Sequence, residues 1–409
     1  MATADARVAR EVIRIAACEC TMIEAKAVPE TMKRPMPRSL RRRFLLPARR
    51  VAIYFTVVMN APPHAHSPLL TRQRLCELLA AAEGRRIAIV GDAMLDVYLH
   101  GEVERISPEA PVPVVRVRER RFALGGAANV AHNVVALGAR CELVATLGRD
   151  ASGDTLRDML VNIGTDVRAL IEVARPTTTK TRVLARVQQV VRFDEEEDHD
   201  VGGADIERVL EAVRRAIDDA QALVFQDYNK GILVSAVIEE AIARARSRGI
   251  PIVVDPKFRN FFSYHGATVF KPNRRELESA LGAAVDPDDP RTLPETLRRL
   301  EVGNLLLTLG ESGMALIGAS GTVHRVPTTA REVYDVVGAG DTVTAYLAAL
   351  LAAGADPREA AEVANFAAGV EVGKLGAATV SSEEVVAAFD EYHERLAARS
   401  GPRGESDPA

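Results

Sequence analysis

The stretch DVVGAGDT, residues 335–342, sets glycines at 338 and 340 and a carboxylate at Asp341 before the apolar run VTAYLAALLAAG. Glycines let a backbone turn so that successive N–H groups converge at a helix entrance, where the helix dipole also favours negative charge. The amides from Gly338 through Ala339 and Gly340 to Asp341 are therefore a candidate anion hole. Asp341 has two readings. It can cap the helix, or, because Thr342 could cap alone, it can accept a proton beside the bound anion. Asn273 and Glu276 in NRRE lie three residues apart and share a helical face, as a capping pair or as ligands. Gly125 and Gly126 in GGAANVAHN allow close backbone approach near Asn129. In TKTRVLAR, Lys180, Arg182 and Arg186 have one parity, which predicts a single strand face carrying all three cations.

Such groups need a scaffold that gathers distant segments. Apolar runs (RIAIVG, CELVATLG, ALVFQDY, IPIVVDP, ATVFKPN, NLLLTLG) alternate with amphipathic ones such as DIERVLEAVRRAIDDA and VSAVIEEAIARARSRG. That order predicts an α/β fold with a mainly parallel sheet covered by helices on both faces. Ligands of such sheets bind beyond the carboxyl ends of the strands, where Asp92, Asp227, Asp255, Asn273 and Gly310 fall. Residues 110–124 and 177–197 alternate at period two instead and predict a small antiparallel sheet, a lid or oligomer contact. The domain is expected over residues 67–395, with a poorly ordered basic extension at 1–66 and a disordered tail at 396–409. The favoured account of the extension is an over-long start, with Met59 as the true one.

A net charge of −4, 4% aromatic residues and no tryptophan argue against nucleic acid as the partner. Cys18, Cys20, Cys76 and Cys141 form no CxxC pair, which fits reduced thiols and a cytoplasmic location. No membrane helix is expected, because no segment nears the ~18 uninterrupted apolar residues one needs.

DVVGAGDT resembles the C-terminal signature of the ribokinase (PfkB) family of carbohydrate kinases, D-[TV]-x-G-A-G-D. GDAMLD (91–96), GGAANVAHN, NRRE and TLGESG (308–313) follow in the family's order, although GGAANVAHN is a residue shorter than the ribokinase form. The resemblance runs from about Ile87 to about Phe389. It implies a ribokinase-like fold with a β-sheet lid, and ATP as phosphoryl donor to a sugar hydroxyl. Asp341 would then be the base. Asp92, Asp96, Gly125, Gly126 and Asn129 would hold the sugar. Lys271, Asn273, Thr308, Gly310, Gly313 and Asn365 would line the nucleotide, and Glu276 with Asn273 would hold Mg2+. Several members of the family also use a monovalent cation, and a homodimer through the lid is implied.

RISPEAPVPVV, TKTRVLARVQQVVRFD, DYNKG and VGKLGAATVS look like the branch that phosphorylates D-glycero-β-D-manno-heptose 7-phosphate at its anomeric hydroxyl. Its 1,7-bisphosphate product leads to ADP-heptose and the lipopolysaccharide core. A phosphate on the acceptor calls for cations away from the reacting hydroxyl, and Lys180, Arg182, Arg186, Arg105 and Lys230 are the candidates. Bifunctional members continue into a nucleotidyltransferase with an HxGH motif; no such domain follows RGESDPA, so a separate protein is expected to do that step. Two alternatives stand: a kinase for ribose, fructose or fructose phosphate, and a catalytically silent sugar-phosphate-binding regulator. A dinucleotide dehydrogenase is excluded, because no GxGxxG follows the first strand.

Overall fold

RIAIVG forms the strand β1 (Arg86–Gly91), and its side chains alternate between two cores: Ile87 and Ile89 enter one, Ala88 and Val90 the other. A strand apolar on both faces must be covered on both, and the rest of the chain supplies the layers. The computed structural model describes residues 70–400, apart from 187, 290, 331 and 332, all within the unit Pro68–Ala409. The expectations for residues 1–66 and for a start at Met59 lie outside the described residues.

The chain begins with α1 (Arg72–Ala82) before β1, and continues through β2 (Ala93–Ile106), β3 (Pro113–Gly126) and α2 (Ala127–Ala136). Next come β4 (Arg140–Gly148), α3 (Ala151–Asn162), β5 (Leu170–Val173), β6 (Thr179–Ala185) and β7 (Gln188–Glu195). The second half runs α4 (Ala204–Asp218), β8 (Ala222–Gln226), α5 (Ser235–Ser247), β9 (Ile252–Asp255) and β10 (Val269–Phe270). It closes with α6 (Arg274–Leu281), α7 (Thr292–Leu300), β11 (Asn304–Thr308), β12 (Met314–Gly318), β13 (Val323–Val326), α8 (Ala339–Ala352), α9 (Pro357–Glu371) and α10 (Ser382–Ser400).

The nine-stranded sheet has the order β13-β12-β11-β10-β9-β8-β1-β4-β5 and is parallel except at β12. One core lies between this sheet and α1, α2, α8, α9 and α10; the other holds α4, α5 and α7. Among the described residues no helix is long and apolar enough to cross a membrane. The parallel strands β1, β8, β9, β10 and β11 end at Gly91, Gln226, Asp255, Phe270 and Thr308, so the polar residues that follow gather at one edge.

The small sheet, β3-β2-β6-β7, departs from the sequence expectation in two ways. It includes β2, outside the two segments expected to form it, so Asp96 lies on a lid strand. It is also not antiparallel throughout, because β2 and β6 pair in parallel. Between β3 and β6 the chain returns through α2, β4, α3 and β5 of the main body, and a crossover of that kind yields a parallel neighbour. A third difference is at the C-terminal end, where α10 extends to Ser400, into the stretch expected to be a disordered tail.

Candidate active site

Asp341 does not cap its helix. Gly338 is the N-cap of α8, at φ +102°, and the Asp341 side chain turns inward, 6% exposed. Its Oδ2 accepts from Asn129 Nδ2 at 2.8 Å; its Oδ1 accepts from Gln226 Nε2 at 2.9 Å and from the Tyr228 hydroxyl at 3.1 Å. Burial pushes Asp341 up to about 7, with Asn129, Lys271 and Tyr228 pulling down and the Asp255 charge pushing further up. Tyr228 is itself driven well above the usual phenol range by burial and by the Asp341 and Asp255 charges, so its hydroxyl stays a donor. The carboxylate is thus held by neutral groups and poised to take a proton near neutrality.

Two neighbouring helices register this arrangement. Asn129 of α2 reaches Asp341, and one turn on Asn133 Oδ1 accepts from the Thr342 hydroxyl at 3.2 Å. A Cβ on Gly338 would lie 2.9 Å from Glu371 Oε1 and 3.2 Å from Asn129 Nδ2, so the turn must be glycine. Ala339 and Gly340 form the first turn of α8, where backbone N–H groups have no carbonyl a turn earlier to bond. A Cβ at Gly340 would sit 3.6 Å from Lys271 Nζ, which brings that ammonium to the candidate anion hole. Lys271, 3% exposed, is paired with Asp255 at 3.1 Å, and Gln226 Nε2 bridges Asp255 and Asp341.

NRRE is a complete capping box. Asn273 Oδ1 accepts from the Glu276 amide at 2.9 Å, and Glu276 Oε2 accepts from the Asn273 amide at 2.8 Å. The remaining Glu276 oxygen is bonded to Lys257, whose ammonium also lies 5.1 Å from the Tyr228 ring. Burial alone would depress Lys257; the Asp255 and Glu276 carboxylates outweigh it. Among the described residues no three His, Cys, Asp or Glu side chains cluster as a metal site.

On the acceptor side, Asp92 is buried and its Oδ2 accepts from the Tyr228 and Lys230 amides at 2.8 and 3.0 Å, so it anchors the DYNKG loop. Burial pushes it up to about 6, with the Asp227 charge acting the same way. Asp96 pairs with Arg182 at 2.6 Å, and a Cβ on Gly125 would be 2.9 Å from its Oδ2. Gly126, at φ +57°, lets α2 start on the Asp92 carbonyl, which accepts from the Ala127 amide.

Not every candidate joins the site. Arg186 lies beyond the end of β6, exposed at φ +56°, so of the three expected cations β6 carries Lys180 and Arg182 on one face; alternation fails where the strand turns. Arg105 is exposed near the far end of β2, roughly 30 Å along the strand from Asp96 at 3.3 Å per residue. Asn365 Nδ2 donates to the Pro327 carbonyl at 2.8 Å, which ties α9 to the segment after β13. Thr308 ends β11, and Gly310 at φ +60° starts the short turn behind it. Gly313 lets the chain pass close to that segment, since a Cβ there would meet the Val326 carbonyl oxygen at 2.1 Å. Gln226, Tyr228 and Lys257 were not predicted as site residues. The polar ending of ALVFQDY, a Gln closing a buried strand, was the available signal.

The pfkB family carbohydrate kinase model matches residues 85–384. The chain belongs to the PfkB family. It is a phosphotransferase acting on sugars. It is 44% identical over 328 residues to the bifunctional protein HldE of Rhodospirillum rubrum, covering 80% of this chain and 66% of that one. For HldE of Gluconacetobacter diazotrophicus the figures are 46% over 304 residues, 74% and 63%. The chain spans about two thirds of these relatives' length. Among solved structures, phosphofructokinase-2 from Escherichia coli in complex with potassium aligns with a TM-score of 0.64 at 19% identity, covering 76% of this chain and 99% of that one. Ribokinase of Arabidopsis thaliana complexed with ribose and ATP gives 0.58 at 20%, with 75% and 99%. At that identity the structures share the fold.

For a PfkB kinase, phosphoryl transfer needs a base, an anion hole and alignment, and Asp341 beside the Gly338 turn is the candidate for the first two. Asp341 works as a base only when ionised, so kcat is expected to fall as pH drops through about 7. Asp341→Asn is expected to lose roughly two to four decades in kcat and the acidic limb of the profile. Near-normal turnover in that variant, or an unchanged acidic limb, removes Asp341 from proton transfer.

Proposed function

We propose that this PfkB kinase phosphorylates D-glycero-β-D-manno-heptose 7-phosphate at the anomeric hydroxyl, using ATP, to give the 1,7-bisphosphate for ADP-heptose synthesis. The carrying observation is the inner face of the lid, where Asp96, Lys180 and Asp194 stand in register beside Tyr98, Arg182 and Arg192 on adjacent strands. A hydroxyl-binding carboxylate beside cations suits an acceptor with both a diol and a phosphate. The identity to HldE supports the same reading.

In this reading Asp96 and the backbone at Gly125 and Gly126 hold the sugar, and Asn129 orients Asp341. Lys271 and the first turn of α8 neutralise the transferred phosphoryl group. Kinases of the family use ATP with a divalent cation. Mg2+ keeps most of its water and takes phosphate oxygens, so Glu276, beside Lys257, would hold it through water.

A monovalent cation fits the chain at Glu371. That carboxylate is 0% exposed, and neither oxygen has a hydrogen-bond partner among the described residues. Burial pushes it up to about 8, with the Asp335 and Asp341 charges adding to the rise. A cation there would compensate the charge beneath the Gly338 turn. The lid's outer face, with Phe122, Val191 and Phe193 exposed, supports a homodimer built on that sheet.

Three experiments follow. With MgATP and a panel of sugars and sugar phosphates, heptose 7-phosphate should give the highest kcat/KM, and Arg182→Ala should raise its KM at least tenfold, about 1.4 kcal/mol. Ribose, fructose or fructose 6-phosphate as best acceptor refutes the assignment. Potassium should raise the melting temperature of the wild type, more so above pH 8 where Glu371 ionises, and not that of Glu371→Gln; equal shifts in both proteins exclude Glu371 as a ligand. Sedimentation should give a dimer that Phe193→Ser weakens; a monomeric wild type disproves the lid contact.

A further inference from the structure

We propose that Glu196 is a placeholder in the acceptor-phosphate site, bridging a lysine of the lid and a lysine of the body until a phosphate displaces it. This rests on the reading that the acceptor carries a phosphate. Glu196 Oε2 lies 3.1 Å from Lys180 Nζ on β6, and Oε1 lies 2.7 Å from Lys230 Nζ in the DYNKG loop. One oxygen per ammonium, two oxygens on one centre, is also the arrangement a phosphate monoester presents.

Charge favours the exchange. Lys180 has a second partner in Asp194 at 3.1 Å, and Asp194 is shared with Arg192 at 3.0 Å. Three cations therefore face two carboxylates, and a phosphate dianion in place of Glu196 would bring the cluster to neutrality. The lysine side chains are each 16% exposed, so their interaction with an anion is screened less than a surface pair. Asp194 is fixed by its place in β7, opposite Lys180 in the ladder. Glu196 is one residue past the end of β7, where no ladder holds its backbone, and it can swing out at small cost.

The position fits the reaction. Lys180 stands in register with Asp96 on the adjacent strand, and the Lys230 amide donates to Asp92. Two residues earlier, Tyr228 donates to Asp341. The phosphate would so replace a contact between lid and body while touching the loop that orients the base. A sugar without a phosphate leaves Glu196 in place, which makes Glu196 a specificity-determining residue.

The test is calorimetric titration of the full chain with inorganic phosphate. Glu196→Gln should bind it roughly three- to tenfold tighter than wild type, because a competing charge is gone. The gain should vanish in Glu196→Gln combined with Lys230→Met, which separates this site from the anion hole at α8. Equal or weaker binding by Glu196→Gln, as a purely structural bridge would give, overturns the proposal, and so does a gain that survives Lys230→Met. If Glu196→Gln fails to fold, Glu196→Ala is read in the same way. Turnover is scored separately: the calorimetric gain with another sugar phosphate as best acceptor leaves the placeholder standing and removes heptose 7-phosphate. A best acceptor without a phosphate overturns both.

Discussion

A carboxylate buried against neutral donors is the constraint around which the rest is arranged. Asp341 has lost water and accepts from Asn129, Gln226 and Tyr228, none of which carries a charge. Had a lysine been the direct partner, the carboxylate would be held too acidic to take a proton from a hydroxyl. Lys271, whose charge pulls Asp341 down, is instead committed to Asp255, and Gln226 stands between the two carboxylates as a bridge. Each donor comes from a different part of the chain: α2, the end of β8 and the loop beyond it. Parallel pairing of β1 with β8 and β8 with β9 places those ends side by side.

Glycines make the approach possible. At Gly126 the backbone lies where a Cβ would be 2.4 Å from the Asp92 carbonyl oxygen, and at Gly338 one would strike Glu371. Both positions have φ in the left-handed region, so an alanine would meet strain as well as a clash. Both glycines stand at the turns that enter α2 and α8. These are the helices whose Asn129–Asp341 and Asn133–Thr342 pairs fix the Asp341 carboxylate.

The sequence made part of this legible. Continuous apolar runs separated by amphipathic ones gave the parallel sheet, because burial on both faces leaves an unmistakable pattern. GAGD before an apolar run gave Asp341 and its turn. Gln226 and Tyr228 escaped because their role depends on strand order: nothing local says that β8 lies beside β1 and ends facing α8. The lid was half seen for a similar reason. β2 is apolar where it leaves the body and charged where it stands in solvent, so neither period holds over its fourteen residues. Arg186 was misplaced because parity was carried through a turn that strands do not cross.

Lid and body are joined by ions at Glu196, whereas the Asp341 carboxylate is held by neutral groups. Hydrogen bonds from Asn129 and Tyr228 are directional, at 2.8 and 3.1 Å, and they favour one geometry. The bridge from Lys180 and Lys230 to Glu196 is partly exposed, so its strength depends on the salt around it. A contact of that type suits a surface that must open for substrate and close on it, whereas the Asp341 network suits a centre that must not move. The one loop common to both is Tyr228–Lys230, anchored on Asp92 through two backbone amides. A change of partner at Lys230 therefore reaches Asp341 through the three residues Tyr228–Lys230 and the hydrogen bond from the Tyr228 hydroxyl.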